Sequence, residues 1–264
     1  MCLILIAFDC HPRYRLILAA NRDEFHDRPT APAAFWTHAP QVLAGRDLRG
    51  GGTWLGLTRG GRLAAVTNYR DPASLRADAP SRGALVSDFL TGSSDGRGYL
   101  TALTKKGSAY NGFNLVVWDG DALTWYANRG RGIETVLPGI HGISNALLDT
   151  DWPKVDLGMR LMKRWIDSSD RPDTEAGFAL LANRTPTSDH RLPKTGVGIE
   201  WERLLSPMFI TSPIYGTRAS TLVLVDRKGG IELAERSFGP DGKPAGPDSD
   251  RRFAFTVETE PPDA

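Results

Sequence analysis

Cys2 and the stretch Asn21-Arg22-Asp23-Glu24 are where the residue types of this chain could do chemistry. A thiol is a weak nucleophile until a base or a lowered pKa makes it a thiolate. None of the five histidines stands in an evident pairing with Cys2. A free α-amine titrates near ~7.7–8.0. Removal of Met1 would therefore put a nucleophile and a base competent near neutral pH on one residue. Acyl transfer also needs donors for the developing oxyanion, and Asn side chains or backbone N–H groups serve. Asn68 and Asn145 lie at ends of predicted strands and are the candidates. Asp23 and Arg218 could hold the thiol and amine in place. Asn at a strand end is equally ordinary turn chemistry, so none of these residues is decisive alone.

Two stretches invite a binding reading beside a structural one. At Ala19-Ala20-Asn21-Arg22-Asp23-Glu24 an apolar strand runs straight into four polar residues. That reads either as a strand ending in a solvated turn or as a buried Arg22–Asp23 ion pair that orients a nucleophile, since buried ions need partners. At Gly50-Gly51-Gly52-Thr53-Trp54 the glycines imply close approach of the backbone to a ligand or to another strand. No Lys follows them, so this is not a phosphate-binding P-loop. In the binding reading Asn21, Arg22, Glu24, Gly51, Gly52 and Trp54 are the ligand-contacting residues. Gly216-Thr217-Arg218-Ala219 is a similar polar junction.

The elements that must position these residues follow from periodicity. Leu3–Phe8 is an uninterrupted apolar run, the pattern of a strand buried on both faces. Strands are also expected over Tyr14–Ala20, 42–44, 53–58, 62–68, 114–118, 123–127, 140–145, 207–211, 220–226, 231–238 and 253–257, split by turns such as Gly60-Gly61 and Asp119-Gly120. Helices are expected over 81–90, 97–106 and 174–182. Another starts at Asp151-Trp152-Pro153, with Val155, Met159, Met162 and Ile166 at helical spacing. Residues 239–250 are rich in Gly, Pro and Asp and read as a flexible loop; 258–264 reads as a frayed tail. Strands and helices grouped in blocks argue for α+β layers rather than alternating βαβ units. Two packed sheets with helices outside would bury the first strand on both faces. No repeat or linker divides the chain, so residues 1–264 are expected to form one domain.

Bulk properties exclude several classes. The 264 residues are 41% hydrophobic and 24% charged with a net charge of +1. That is ordinary for a globular protein and gives no nucleic-acid footprint. The two cysteines, Cys2 and Cys10, are too close in sequence to staple a fold, which fits a reducing compartment. No metal-ligand spacing occurs. The N-terminal apolar run lacks a charged region and is too short for a signal peptide or membrane span, and a cytoplasmic location is expected.

The Met-Cys strand, Asn21-Arg22-Asp23-Glu24, Gly51-Gly52-Thr53-Trp54-Leu55-Gly56, Asn68-Tyr69-Arg70, His141-Gly142-Ile143-Ser144-Asn145 and Gly216-Thr217-Arg218-Ala219-Ser220-Thr221 together resemble the NRDE family, the group of transport and Golgi organization proteins. The resemblance spans essentially the whole chain. That family in turn is similar to the cysteine N-terminal nucleophile hydrolases, which share a four-layer αββα fold. The resemblance implies Cys2 as nucleophile, Asp23 on its thiol and amine, Asn68 and Asn145 around the oxyanion and amine, and Arg218 near the sulfur. One departure stands out. Those hydrolases have an arginine three residues before the acidic residue, where this chain has Ala20; Arg22 shares the strand face of Ala20 only if the segment stays extended.

Two functions follow from this reading. One is hydrolysis or transfer of a linear amide or thioester acyl group through acyl-Cys2, with no cofactor required. The other is a carrier of acyl-coenzyme A, lipid or haem that uses the same pocket without turnover. For haem, His26, His38 or His141 would be the axial ligands. Either way the expected partner is a small acyl ligand, not nucleic acid or an integral membrane segment.

Overall fold

The structure is a computed structural model that describes residues 3–258. Cys2 and the expected tail beyond residue 258 lie outside the described residues. Leu3–Phe8 forms β1, buried along its whole length. It lies between β2 (Tyr14–Phe25) and β10 (Gly139–Ile143), and the sheet continues through β11 (Tyr215–Asp226), β12 (Gly230–Ser237) and β13 (Asp250–Thr256). The second sheet runs β3 (Thr30–Trp36), β4 (Ala39–Asp47), β5 (Leu55–Thr58), β6 (Leu63–Asn68), β7 (Phe113–Trp118), β8 (Leu123–Ala127), β9 (Ile133–Thr135). Every pairing in both sheets is antiparallel.

The alternation of β1 explains the layers. Ile4, Ile6 and Phe8 join Leu16, Leu18 and Val223 of their own sheet and pack against Leu43, Leu57, Val116 and Trp118 of the second. Leu3, Leu5 and Ala7 face the other way, onto Val155, Met162 and Trp165 of α3 (Pro153–Asp167) and Phe178 of α4 (Thr174–Leu181). The outer face of the second sheet, with Val42, Val66, Leu115 and Val117, is covered by Leu85, Val86 and Phe89 of α1 (Gly83–Thr91) and by Leu100 of α2 (Gly96–Thr104). The result is a four-layer αββα sandwich. A fully buried Leu or Ile contributes about 1.5–3 kcal/mol, which is why an apolar run read without alternation becomes a central strand.

Several elements differ from the sequence reading. β2 does not end at Ala20 but runs on through Asn21-Arg22-Asp23-Glu24 to Phe25, because β11 runs alongside it, with Arg22 opposite Ala219 and Phe25 opposite Tyr215. β3, β9 and α5 (Ile199–Leu204) carry too little periodicity to be anticipated. Residues 207–211 form no strand. Phe209 N–H donates to Asn183 O and Ile210 N–H to Thr217 Oγ1, so loop bonds replace a ladder. Residues 239–249 are irregular, held by a Phe238–Pro244 bridge and an Ala245-to-Ser237 hydrogen bond. No helix among the described residues is long and apolar enough to cross a membrane.

Candidate active site

Successive side chains of an extended strand point to opposite faces, and this divides the polar end of β2 in two. Asn21 and Asp23 share the helix-side face with Ala19; Arg22 and Glu24 share the inter-sheet face with Ala20. Adjacent Arg22 and Asp23 therefore cannot form the ion pair that their sequence allows. The carboxylate near Arg22 is Glu24, two residues on, at 3.7 Å. Asp23 is buried and accepts from Thr217 Oγ1 at 2.7 Å. Asn21 lines neither of the two cavities described below. Its Nδ2 donates to the carbonyls of Leu181 and Met208 at 2.9 and 2.8 Å, and its Oδ1 accepts from Ser220 Oγ at 2.6 Å. It fastens the helix layer to the sheet.

Arg22 is 4% exposed, and its guanidinium lies over the Trp54 ring at 4.4 Å. Its Nη1 has no hydrogen-bond partner among the described residues. Burial pushes its pKa down, with Glu24 and Asp47 opposing, and a guanidinium stays a cation in a protein. Arg22 and Trp54 form a wall between two cavities. One, of about 510 Å³, is lined by Glu24, Arg28, Asp47, Asn68 and the Ser81-Arg82-Gly83 start of α1. The other, of about 260 Å³, is lined by Arg218, Glu235 and Phe238.

The larger cavity has a charge-paired edge. Arg28 donates through Nε and Nη2 to Asp47 Oδ2 at 3.0 and 2.7 Å. Burial opposes ionisation of Asp47, but Arg28 and the N–H groups of Gly50 and Arg49 outweigh it and hold the carboxyl below its usual range. Gly51 has φ of +77° and fits the turn. A Cβ on Gly52 would sit 2.4 Å from the carbonyl carbon of Gly83. Close approach to another chain segment, not to a ligand, explains that glycine. Trp54 does reach both cavities.

Asn68 and Asn145 come together, as the end of β6 meets the residues after β10. Asn145 Nδ2 donates to Asn68 O at 2.9 Å. Its Oδ1 accepts from Arg70 Nη2 at 3.1 Å, and Arg70 in turn pairs with buried Glu202 at 2.6 Å. The side chain of Asn68 lines the larger cavity and makes no hydrogen bond to another described residue. Arg218 sits at the β11 bulge, where its Nη1 donates to the carbonyls of Phe25, His26 and Arg28 at 3.0, 3.2 and 3.3 Å. It braces the β2–β3 turn and lines the smaller cavity. His26 contacts Ser212 O, His38 contacts Arg46, and His141 contacts Asp149 and Leu137 O. No group of three or more metal-ligating side chains occurs among the described residues.

A sequence profile described as Transport and Golgi organisation 2 matches residues 1–240. The chain belongs to that family. The Transport and Golgi organization protein 2 homolog of Bos taurus is 40% identical over 258 residues, covering 90% of this chain and 93% of that protein. The Homo sapiens homolog is 39% identical with the same coverage. Among solved structures, a Caenorhabditis elegans N-acylethanolamine-hydrolyzing acid amidase ortholog aligns with a TM-score of 0.47 at 12% identity, over 97% of this chain and 100% of that one.

The family motifs were legible in sequence; other cavity residues were not singled out. Arg28, Arg76 and Asn111 are isolated polar residues in unpatterned loops, and Arg82 falls at the start of the expected helix over 81–90 with nothing to mark it as a cavity residue. Glu235 did leave a signal. It is the charged member of an inward-facing series, Ile231, Leu233, Glu235, on β12. It is 2% exposed and accepts from Ala33 N–H at 2.6 Å, where a β3 bulge frees that donor. Burial pushes its pKa up against this hydrogen bond and that of Thr221.

Proposed function

We propose that the chain is a hydrolase or acyltransferase for a linear amide or thioester acyl group, with Cys2 as N-terminal nucleophile after loss of Met1. The observation that carries this reading is the register of β1. Leu3 pairs with Asn21 and Ile4 with Ile143. Carried one residue beyond Leu3, both antiparallel registers lead to Arg22 on one side and Asn145 on the other. Next to Arg22 and Asn145 lie the unengaged Asn68 amide and a 510 Å³ cavity.

In this mechanism the α-amine takes the thiol proton as sulfur attacks the acyl carbon. The Asn68 Nδ2 donates to the oxyanion of the tetrahedral intermediate. Collapse breaks the bond to the amine or thiol leaving group, which takes the proton back from the ammonium. Water or an acceptor nucleophile then cleaves acyl-Cys2 by the same path. Arg22 shares the face of Ala20 because β2 stays extended, so it is the residue able to take the place of the family hydrolases' upstream arginine.

The test is intact mass of the purified protein before and after amide and thioester acyl donors, with adducts mapped. Loss of Met1 and an acyl adduct on Cys2 that is absent from Cys2→Ala supports the reading. Retained Met1, or ligand binding with no adduct, overturns it in favour of a carrier.

A further inference from the structure

The lining of the larger cavity is dominated by arginines. Five arginines, Arg22, Arg28, Arg49, Arg76 and Arg82, line it against two carboxylates, Glu24 and Asp47. The lining is therefore richer in arginine than in carboxylate, and at the rim Arg49 pairs with Asp27 at 3.6 Å. Arg76 donates to the carbonyls of Ser108 and Ala109 and has no carboxylate within 4 Å among the described residues. The start of α1, a nine-residue helix with no acidic residue in its first turn, forms another part of the wall. Its first N–H groups are met within the turn, Gly83 by Ser81 Oγ, Ala84 by Ser81 O and Leu85 by Arg82 O, so the helix contributes the partial positive charge of its N-terminus rather than free donors. Arg22 adds the decisive feature, a guanidinium 96% buried whose Nη1 lacks a hydrogen-bond partner among the described residues. A buried donor left unmade is costly, and guanidinium forks match carboxylate and phosphate oxygens.

We propose that this cavity binds an oxyanion, a carboxylate or a phosphate group, with Arg22 Nη1 as its buried anchor and Arg76, Arg82 and the N-terminus of α1 around it. The inference rests on the reading above for making this the substrate cavity, and it narrows the substrate to acyl compounds bound together with an anionic group. That group is either part of the acyl compound or a separate anion beside it. Asn68 and the Arg22–Trp54 wall place the anion at one end of the reacting group.

The test uses Cys2→Ala protein, so that binding is read without turnover. Calorimetric titrations with inorganic phosphate, octanoate and neutral octanamide are run at low and at high salt. Phosphate and octanoate are expected to bind in competition, weaken with salt, and leave octanamide far behind. Arg22→Gln is expected to weaken both anions about ten- to hundredfold, the range for a charge-assisted hydrogen bond. Arg76→Gln, at an exposed position, is expected to weaken them several-fold and decides the matter where Arg22→Gln does not fold. Octanoate binding well above phosphate assigns the anion to the acyl compound; phosphate binding at least as tightly assigns it to a separate ion. Octanamide binding as well as octanoate, or anion binding unchanged in both variants, overturns the inference. An adduct on wild-type Cys2 from neutral donors alone would keep the hydrolase reading and sink this one. Anion binding without any adduct would do the reverse.

Discussion

Asn21→Asp is a near-isosteric change that separates a structural role for the first residue of the family motif from a ligand-binding one. Asn21 Nδ2 donates to two buried carbonyls, Leu181 O and Met208 O, and no cation is among its hydrogen-bond partners. A protonated aspartic acid can serve one of the two carbonyls, and leaving the other unmet costs about 1–3 kcal/mol. Ionised, it would face both with negative charge, so its folded pKa must lie well above the unfolded value of about 3.9. A raised folded pKa means that stability is fully present below the unfolded pKa and is lost as pH rises towards the folded one. The loss is about 1.4 kcal/mol per pH unit, or roughly 4 kcal/mol between pH 4 and 7. At pH 7 the total is about 5–7 kcal/mol, comparable with the whole stability of a domain at about 5–15 kcal/mol. Urea unfolding followed by tryptophan fluorescence from pH 4.5 to 7 reads this directly, with Asn21→Ala as a destabilised control lacking the slope. Parallel pH profiles for Asn21→Asp and wild type, or equal stability at pH 7, would refute the reasoning.

Other expectations concern the surrounding frame. Glu235 has a raised pKa, so wild-type stability falls as pH climbs from about 4.3 towards that folded value; Glu235→Gln keeps the acceptor for Ala33 and should gain on wild type as pH rises, read by the same unfolding curves. Gly52→Ala drives a Cβ into Gly83 backbone and should cost about 1–3 kcal/mol, with weaker anion binding because that contact also sets the cavity wall. Glu202→Ala leaves Arg70 buried without its carboxylate and should cost about 3–5 kcal/mol, with a shifted Asn145 side-chain amide resonance. The hydrogen bond that His141 Nδ1 donates to Asp149 raises the His141 pKa despite burial, so an NMR titration should show its midpoint falling in Asp149→Asn.

The layers were legible because they depend on local pattern. Leu3–Phe8 declares two buried faces by having no polar member, and Val155, Met159, Met162 and Ile166 declare one helix face. The site was legible in its parts, through Asn68, Asn145 and Trp54, but not in its partition. Whether Arg22 faces Asp23 or Glu24 depends on the segment staying extended, and that is enforced by β11, some 195 residues away. The same distance hides the roles of Asn21, whose partners are Leu181, Met208 and Ser220, and of Glu235, whose partner is the N–H freed by a bulge in β3. The expected strand at 207–211 fails for a related reason: its apolar side chains are buried, but their backbone is met by Asn183 and Thr217 rather than by a neighbouring strand.

The place of β1 in its sheet also sets a timetable. Its neighbour β10 ends at Ile143, and β11, which holds the polar end of β2 extended, ends at Asp226. At a synthesis rate of about 5–20 residues per second, β10 is complete roughly 7–27 s and β11 roughly 11–44 s after β1 has been made. Contacts this distant in sequence form late in folding. Through that interval β1 has only β2 to pair with, and its other edge stays open until β10 arrives. Completion of the sheet beside β1, and of the cavity walls that depend on it, is thereby placed after the β1–β2 hairpin by topology alone.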